Sequence, residues 1–193
     1  MEQTIRTFIA IPLPKIFISW ILEVQEQLKS YRFPVRWVKP ENIHLTLKFL
    51  GNIPIKSIDS IAMTMDDTFC GCPPMTLFAK GLGVFPGIKK PRVIWLGLSG
   101  DIKALSGLQA NLESNLEKIG FLKENRQFKS HLTLGRIKGH IEPKNLFDAL
   151  RSFSEFTSEP FDTKELILYK SELKPSGASY IKLKTVFATG PEQ

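Results

Sequence analysis

The tetrapeptide His-Leu-Thr-Leu occurs twice, at residues 44–47 and 131–134, and takes up two of the three histidines in the 193-residue chain. Each copy alternates polar and apolar residues, the period of a half-buried strand. His44 and Thr46 therefore project to one face and Leu45 and Leu47 to the other, and His131, Thr133 and their leucines repeat the arrangement. The surroundings repeat as well. Thr7-Phe8-Ile9-Ala10-Ile11, closed by Pro12 and Pro14, reads as a buried strand, and Ile16, Trp20, Val24 and Leu28, joined by Phe17 and Ile21, read as an amphipathic helix. In the second half the same pair recurs: Val93-Ile94-Trp95-Leu96, then Ile102, Leu105, Leu108, Leu112, Leu116 and Ile119, with Asp101 ahead of the helix and Gly120 at its C′ position. Phe8 precedes His44 by 36 residues and Ile94 precedes His131 by 37. Beyond each copy lie a further helical series (Ile55, Ile58, Ala62, Met65; then Leu146, Leu150, Phe153) and a further apolar strand (residues 75–79; then 166–169).

Such a chain is expected to fold as two copies of one β-α-β-α-β unit. Residues 81–92 carry Leu82, Val84 and Phe85 and lack the composition of a flexible linker. Halves of about 1–90 and 91–193 are thus expected to share a single bilobal domain, residues 1–193. The expected class is α+β, a pseudo-two-fold duplication whose sheets line a central cleft.

A hydrophobic content of 42% excludes wholesale disorder, and 26 Lys+Arg against 19 Asp+Glu, a formal charge of +7, favours an anionic partner. The apolar stretch over residues 8–24 is interrupted by Pro12, Pro14, Lys15 and Glu23 and falls short of the ~20 apolar residues of a membrane helix. No charged leader with a cleavage site opens the chain. The expectation is a soluble, unprocessed, monomeric, cytoplasmic protein with no membrane partner. Cys70 and Cys72, in Cys-Gly-Cys, are too close for an ordinary bridge and two ligands short of a structural zinc site, which fits reduced thiols.

With the units related by a two-fold axis, the two His/Thr pairs face each other across the cleft, and that set suits a phosphate. Cleaving a phosphodiester requires a base for the attacking oxygen and an acid for the leaving one, on opposite sides of phosphorus, and two histidines fill both roles near neutral pH. Threonine hydroxyls can donate to the non-bridging oxygens, where charge builds in the transition state. Catalytic zinc takes three protein ligands, and neither strand offers a carboxylate or second histidine at i+2, so no metal is expected. No Walker loop is present, and no cofactor is expected. His140, in Lys-Gly-His-Ile-Glu-Pro, reads as a surface loop residue.

Arg36-Trp37-Val38-Lys39-Pro40-Glu41-Asn42-Ile43-His44-Leu45-Thr46-Leu47-Lys48-Phe49-Leu50-Gly51, with His131-Leu132-Thr133-Leu134-Gly135-Arg136 downstream, resembles the 2H phosphoesterase superfamily. Within it the chain is most similar to the bacterial and archaeal RNA 2′,3′-cyclic phosphodiesterases, also called 2′-5′ RNA ligases. The resemblance implies a bilobal fold and metal-independent hydrolysis of a terminal 2′,3′-cyclic phosphate to a 2′-phosphate. It further implies His44 as proton donor to the leaving 3′ oxygen, His131 as the acceptor that activates water, and Thr46 and Thr133 as holders of the phosphoryl oxygens. ATP-independent 2′-5′ ligation and a non-catalytic RNA-end-binding module stand as alternatives. The expected partner is RNA with a 2′,3′-cyclic phosphate end or a small cyclic nucleotide.

Substrate contacts are expected from the basic residues near the motifs, Arg36, Lys48, Lys129 and Arg136, together with Lys39, Lys138 and the Lys89-Lys90-Pro91-Arg92 cluster. Trp37 and Phe128 are the aromatics placed to stack on a base. Alternation puts Lys48 on the face of His44 and Thr46, and puts Arg136 on the face opposite Thr133 unless the strand bulges at Gly135.

Overall fold

The computed structural model describes residues 3–175 and 177–188, so the two ends of the expected 1–193 unit lie outside the described residues. The opening apolar run forms β1 (Thr4–Ile11). Pro14, whose ring fixes φ at a value suited to a helix start, caps α1 (Lys15–Lys29), which buries Phe17, Ile21, Val24, Gln25 and Leu28. There follow β2 (Val35–Trp37), β3 (Leu45–Pro54), α2 (Ile58–Phe69), β4 (Met75–Phe85), β5 (Val93–Gly100) and α3 (Ile102–Lys118). The chain continues as β6 (His131–Ile137), α4 (Pro143–Ser152), β7 (Phe161–Thr163), β8 (Glu165–Lys174) and β9 (Gly177–Phe187).

The strands make two antiparallel sheets, ordered β3-β1-β8-β9 and β2-β6-β5-β4-β7. Each sheet takes strands from both halves of the sequence, and the helices cross over too. Helix α1 follows β1 of the first sheet yet packs on the second, where Phe17 lies 4.5 Å from Phe161 and the Gln25 amide donates to the Leu134 carbonyl. Helix α3 follows β5 of the second sheet yet packs with α2 and β3 on the first. Residue 90 thus marks a boundary between sequence repeats and not between sheets. The motif leucines, Leu45, Leu47, Leu132 and Leu134, are buried beneath these crossed helices and belong to one continuous core. None of the described helices is long and apolar enough to cross a membrane.

Alternation in each motif strand holds only through its second leucine. Ile9 pairs with Lys48 and Ala10 with Thr46, which leaves Leu47 without a partner on β1; Ile94 pairs with Gly135 and Trp95 with Thr133, which leaves Leu134 without a partner on β5. The two copies carry a bulge at the same place, and an extra residue inverts the faces taken by everything after it. Side-chain amides reach the carbonyls of both bulged residues: Leu134 O accepts the Gln25 amide as well as the Val38 N–H, each at 2.9 Å, and Leu47 O accepts the Gln109 amide at 3.4 Å.

The bulge overturns the expected placement of Lys48. Its side chain turns away from His44 and Thr46 to the helix side, 5% exposed, where the ammonium donates to the Glu113 carboxylate at 2.5 Å and to the Leu122 carbonyl. The next residue, Phe49, takes the cleft face instead and is 64% exposed. Arg136 is its counterpart in the second copy, and the bulge brings it into the cleft as well. A further difference concerns Gly51 and Asn52, whose composition reads as the end of a strand. Gly51, at φ +73°, instead completes a second bulge beside Leu50, and β3 continues to Pro54.

Removing one member of a buried ion pair leaves the other charge desolvated and unmatched. Lys48→Ala is therefore expected to cost about 3–5 kcal/mol of stability in urea denaturation, whereas the double variant Lys48→Met/Glu113→Leu recovers most of that loss.

Candidate active site

His44 immediately precedes β3 and His131 is the first residue of β6, so both imidazoles sit at the start of a motif strand. Each ring bonds through Nδ1 to the main-chain carbonyl two residues earlier, His44 to Asn42 O at 2.8 Å and His131 to Lys129 O at 2.7 Å. A carbonyl only accepts, so Nδ1 carries the hydrogen in both rings. That leaves Nε2 of each as the atom able to take or give a proton.

Aromatic side chains hold the rings in place. His44 stacks on Phe8 with centroids 4.6 Å apart, and Tyr180 meets it edge-on at 5.2 Å. His131 meets Phe85 edge-on at 4.9 Å and Trp95 at 6.2 Å. Gly83 makes room for this second arrangement, since a Cβ there would fall 2.1 Å from the Trp95 indole. Burial pushes the His44 pKa down to about 4, opposed by the bond to Asn42 and assisted by the charge of His131. Burial also lowers the pKa of His131, against the bond to Lys129.

The two sheets enclose a cleft of about 370 Å³ lined by His44, Thr46, His131 and Thr133 together. Neither threonine hydroxyl bonds to another protein group among the described residues, so both can serve a ligand. Six cations line the same cleft, Arg6, Arg36, Lys39, Arg136, Lys138 and Lys174, and among the described residues no carboxylate does. Such a lining selects for anions. Among the described residues no three His, Cys, Asp or Glu side chains gather where they could hold a metal ion.

Of the residues expected to touch substrate, Arg36, Arg136, Lys39 and Lys138 line the cleft; Lys48, Lys129 and Phe128, and the cluster of Lys89, Lys90 and Arg92, do not. Lys129 reaches the site only through its carbonyl, while its ammonium lies 5.9 Å from the Phe85 ring centroid. Phe128 packs against the core. Trp37 contributes to the cleft wall, but its indole covers Gly135, where a Cβ would approach it to 3.1 Å. His140 lies in the exposed loop before α4. Arg6, Lys174, Phe49 and Tyr180 were not legible as site residues. Phe49 alone carried a local signal, the same sixth motif position as Arg136; the others reach the cleft from β1, β8 and β9 by strand pairing.

Comparison with known proteins agrees with this geometry. The family described as LigT-like phosphoesterase matches the chain twice, over residues 11–95 and 96–180. An RNA 2′,3′-cyclic phosphodiesterase of Methanothermobacter thermautotrophicus is 33% identical over 93% of this chain and 97% of its own. One from Methanocaldococcus jannaschii is 32% identical over 93% and 98%. A solved structure from Thermus thermophilus shares the fold with a TM-score of 0.79 at 24% identity, covering 97% of this chain and all of the other.

In an NMR titration of the imidazoles, the His44 midpoint is expected near pH 4 and that of His131 below the ordinary 6.5. Inorganic phosphate is expected to raise both midpoints, because a bound anion favours the imidazolium. Midpoints at 6.5 that ignore phosphate would contradict the burial of both rings.

Proposed function

Because the chain belongs to the LigT-like phosphoesterases, we propose that it hydrolyses the 2′,3′-cyclic phosphate at an RNA end to a 2′-phosphate. The observation that carries this reading is the pair of Nδ1-anchored histidines in one cation-lined cleft, each with a strand-mate threonine. His131 Nε2 takes a proton from water as its oxygen attacks phosphorus. The bond from phosphorus to O3′ breaks, and His44 Nε2–H gives its proton to that oxygen, while the bond to O2′ stays. Thr46 and Thr133 donate to the non-bridging oxygens as they gain charge. The exposed ring of Phe49 offers a face to the terminal base.

A pKa of about 4 leaves His44 mostly neutral in the free protein at neutral pH. The anionic substrate corrects this, since a phosphate beside the ring raises its pKa and charges the acid when it is needed. The Cys-Gly-Cys spacing fits reduced thiols in the cytoplasm, and the activity is assigned there.

Incubated in EDTA with a short RNA ending in a 2′,3′-cyclic phosphate, the protein is expected to yield a 2′-phosphate. His44→Ala and His131→Ala are each expected to lose about 10²–10⁴-fold while keeping a native circular dichroism spectrum. Thr46→Val and Thr133→Val are expected to lower kcat by about 10²–10³-fold. Full activity in either histidine variant would remove the acid–base assignment.

The pH profiles test the same assignment. Since kcat/KM reports the free enzyme, its bell is expected to peak below pH 6.5, and that of kcat to lie at higher pH because bound phosphate raises both histidines.

A further inference from the structure

A cyclic phosphate carries a single negative charge, yet the cleft presents six cations. Two of them are placed in a way that is costly without a ligand. Arg36 in β2 and Arg136 in β6 are direct cross-strand partners, which puts their Cβ atoms about 5 Å apart on the cleft face. Like charges directly opposite destabilise a strand pair. Among the described residues neither arginine forms an ion pair, and no carboxylate lines the cleft to offset them.

The backbone of the neighbouring hairpin borders the Arg36 guanidinium. The tip of the β8–β9 hairpin crosses from the other sheet, and a Cβ on Gly177 would lie 3.3 Å from the Arg36 guanidinium, so backbone without a side chain leaves that group its space. The Asn42 amide ties the same hairpin down by donating to the Ala178 carbonyl at 2.9 Å. Tyr180 lines the same cleft as Arg136 and itself meets His44 edge-on. A line of groups therefore leads from the reacting centre through Tyr180 and Arg136 to Arg36. Arg136 lies three residues beyond Thr133, about 10 Å of strand at most, the reach of one nucleotide.

We propose that Arg36 and Arg136 form a second anion site, which holds the phosphodiester on the 5′ side of the nucleoside that bears the cyclic phosphate. This rests on the cyclic phosphodiesterase reading. With the cyclic phosphate at the chain's 3′ end, the only other phosphate near that nucleoside is the one at its 5′ oxygen. Two planar, five-donor guanidiniums on one face suit its two free oxygens. The substrate class is then a strand end, and a bare nucleoside 2′,3′-cyclic phosphate fills only the reacting half of the site.

The test compares three probes: cytidine 2′,3′-cyclic phosphate, the same compound with a 5′-phosphate, and the dinucleotide CpC ending in a 2′,3′-cyclic phosphate. The native protein is expected to show kcat/KM higher by about tenfold or more on both 5′-phosphorylated probes, the gain of one or two charged hydrogen bonds. In Arg36→Gln the ratio between probes is expected to fall to near one, and in Arg136→Gln likewise. Because each ratio is taken within one variant, partial loss of folded protein cancels. The lead of the dinucleotide is also expected to shrink with added salt, more steeply than turnover of cytidine 2′,3′-cyclic phosphate.

Equal kcat/KM on all three probes overturns the second site and leaves the cyclic phosphodiesterase reading intact. No turnover of any probe overturns that reading instead. A lead that survives in both arginine variants removes the assignment to these residues, and a lead for the 5′-monophosphate without one for the dinucleotide overturns the strand as its occupant.

Discussion

The extra residue in each motif strand, Leu47 in β3 and Leu134 in β6, decides what the cleft contains. Up to that residue, alternation sends histidine and threonine to the cleft and leucine to the core. Past it the faces exchange, so Lys48 goes inward to Glu113 while Phe49 and Arg136 turn to the cleft. A strand without the bulge would bury Arg136 beneath α1 and set a lysine beside the histidine and threonine of the cleft. Both bulged residues offer a carbonyl to a glutamine amide, Gln25 or Gln109, on the helix crossing from the opposite half, and Leu134 O accepts the Val38 N–H as well.

That crossing makes the site depend on the whole chain. Each motif strand is covered by a helix from the other repeat, and the aromatic support of His44 comes from β1, β8 and β9, far from it in sequence. The duplication supplies symmetry in the cleft, two histidines anchored alike and two threonines. Departures from symmetry supply direction. Phe49 stands in one copy where Arg136 stands in the other, an ion pair stands behind one bulge, and a glycine covered by Trp37 stands behind the other. The burial of His44 is the deeper of the two and its pKa the more strongly depressed, so in the free protein the two rings differ in how readily they hold a proton.

Electrostatics complete the site. Formal charge of +7 over the chain says only that an anion is welcome, but within the cleft the imbalance is absolute among the described residues, six cations and no carboxylate. Burial in this cleft favours neutral histidines, a preference that a phosphate beside the rings would oppose. The same ligand that needs the acid supplies the field that charges it.

The periodic patterns of the sequence determined the main helices and the motif strands, and with them the four side chains that meet in the cleft, because hydrophobic alternation and helical spacing are local properties of a chain. Gly120 marked the end of α3 for the same reason, a C′ glycine acting within one turn, whereas Asp101 stands at the N-cap position but turns its carboxylate to the Thr76 N–H of β4. Tertiary structure decided the rest. Whether Lys48 or Phe49 faces the ligand follows from a bulge, and a bulge exists only in relation to a paired strand. Trp37 and Phe128 are aromatic in the sequence and packed against protein in the fold, whereas Arg6, Lys174 and Tyr180 reach the cleft by pairings that span most of the chain. Long-range strand order, which no local window contains, is what turned two short motifs into one site.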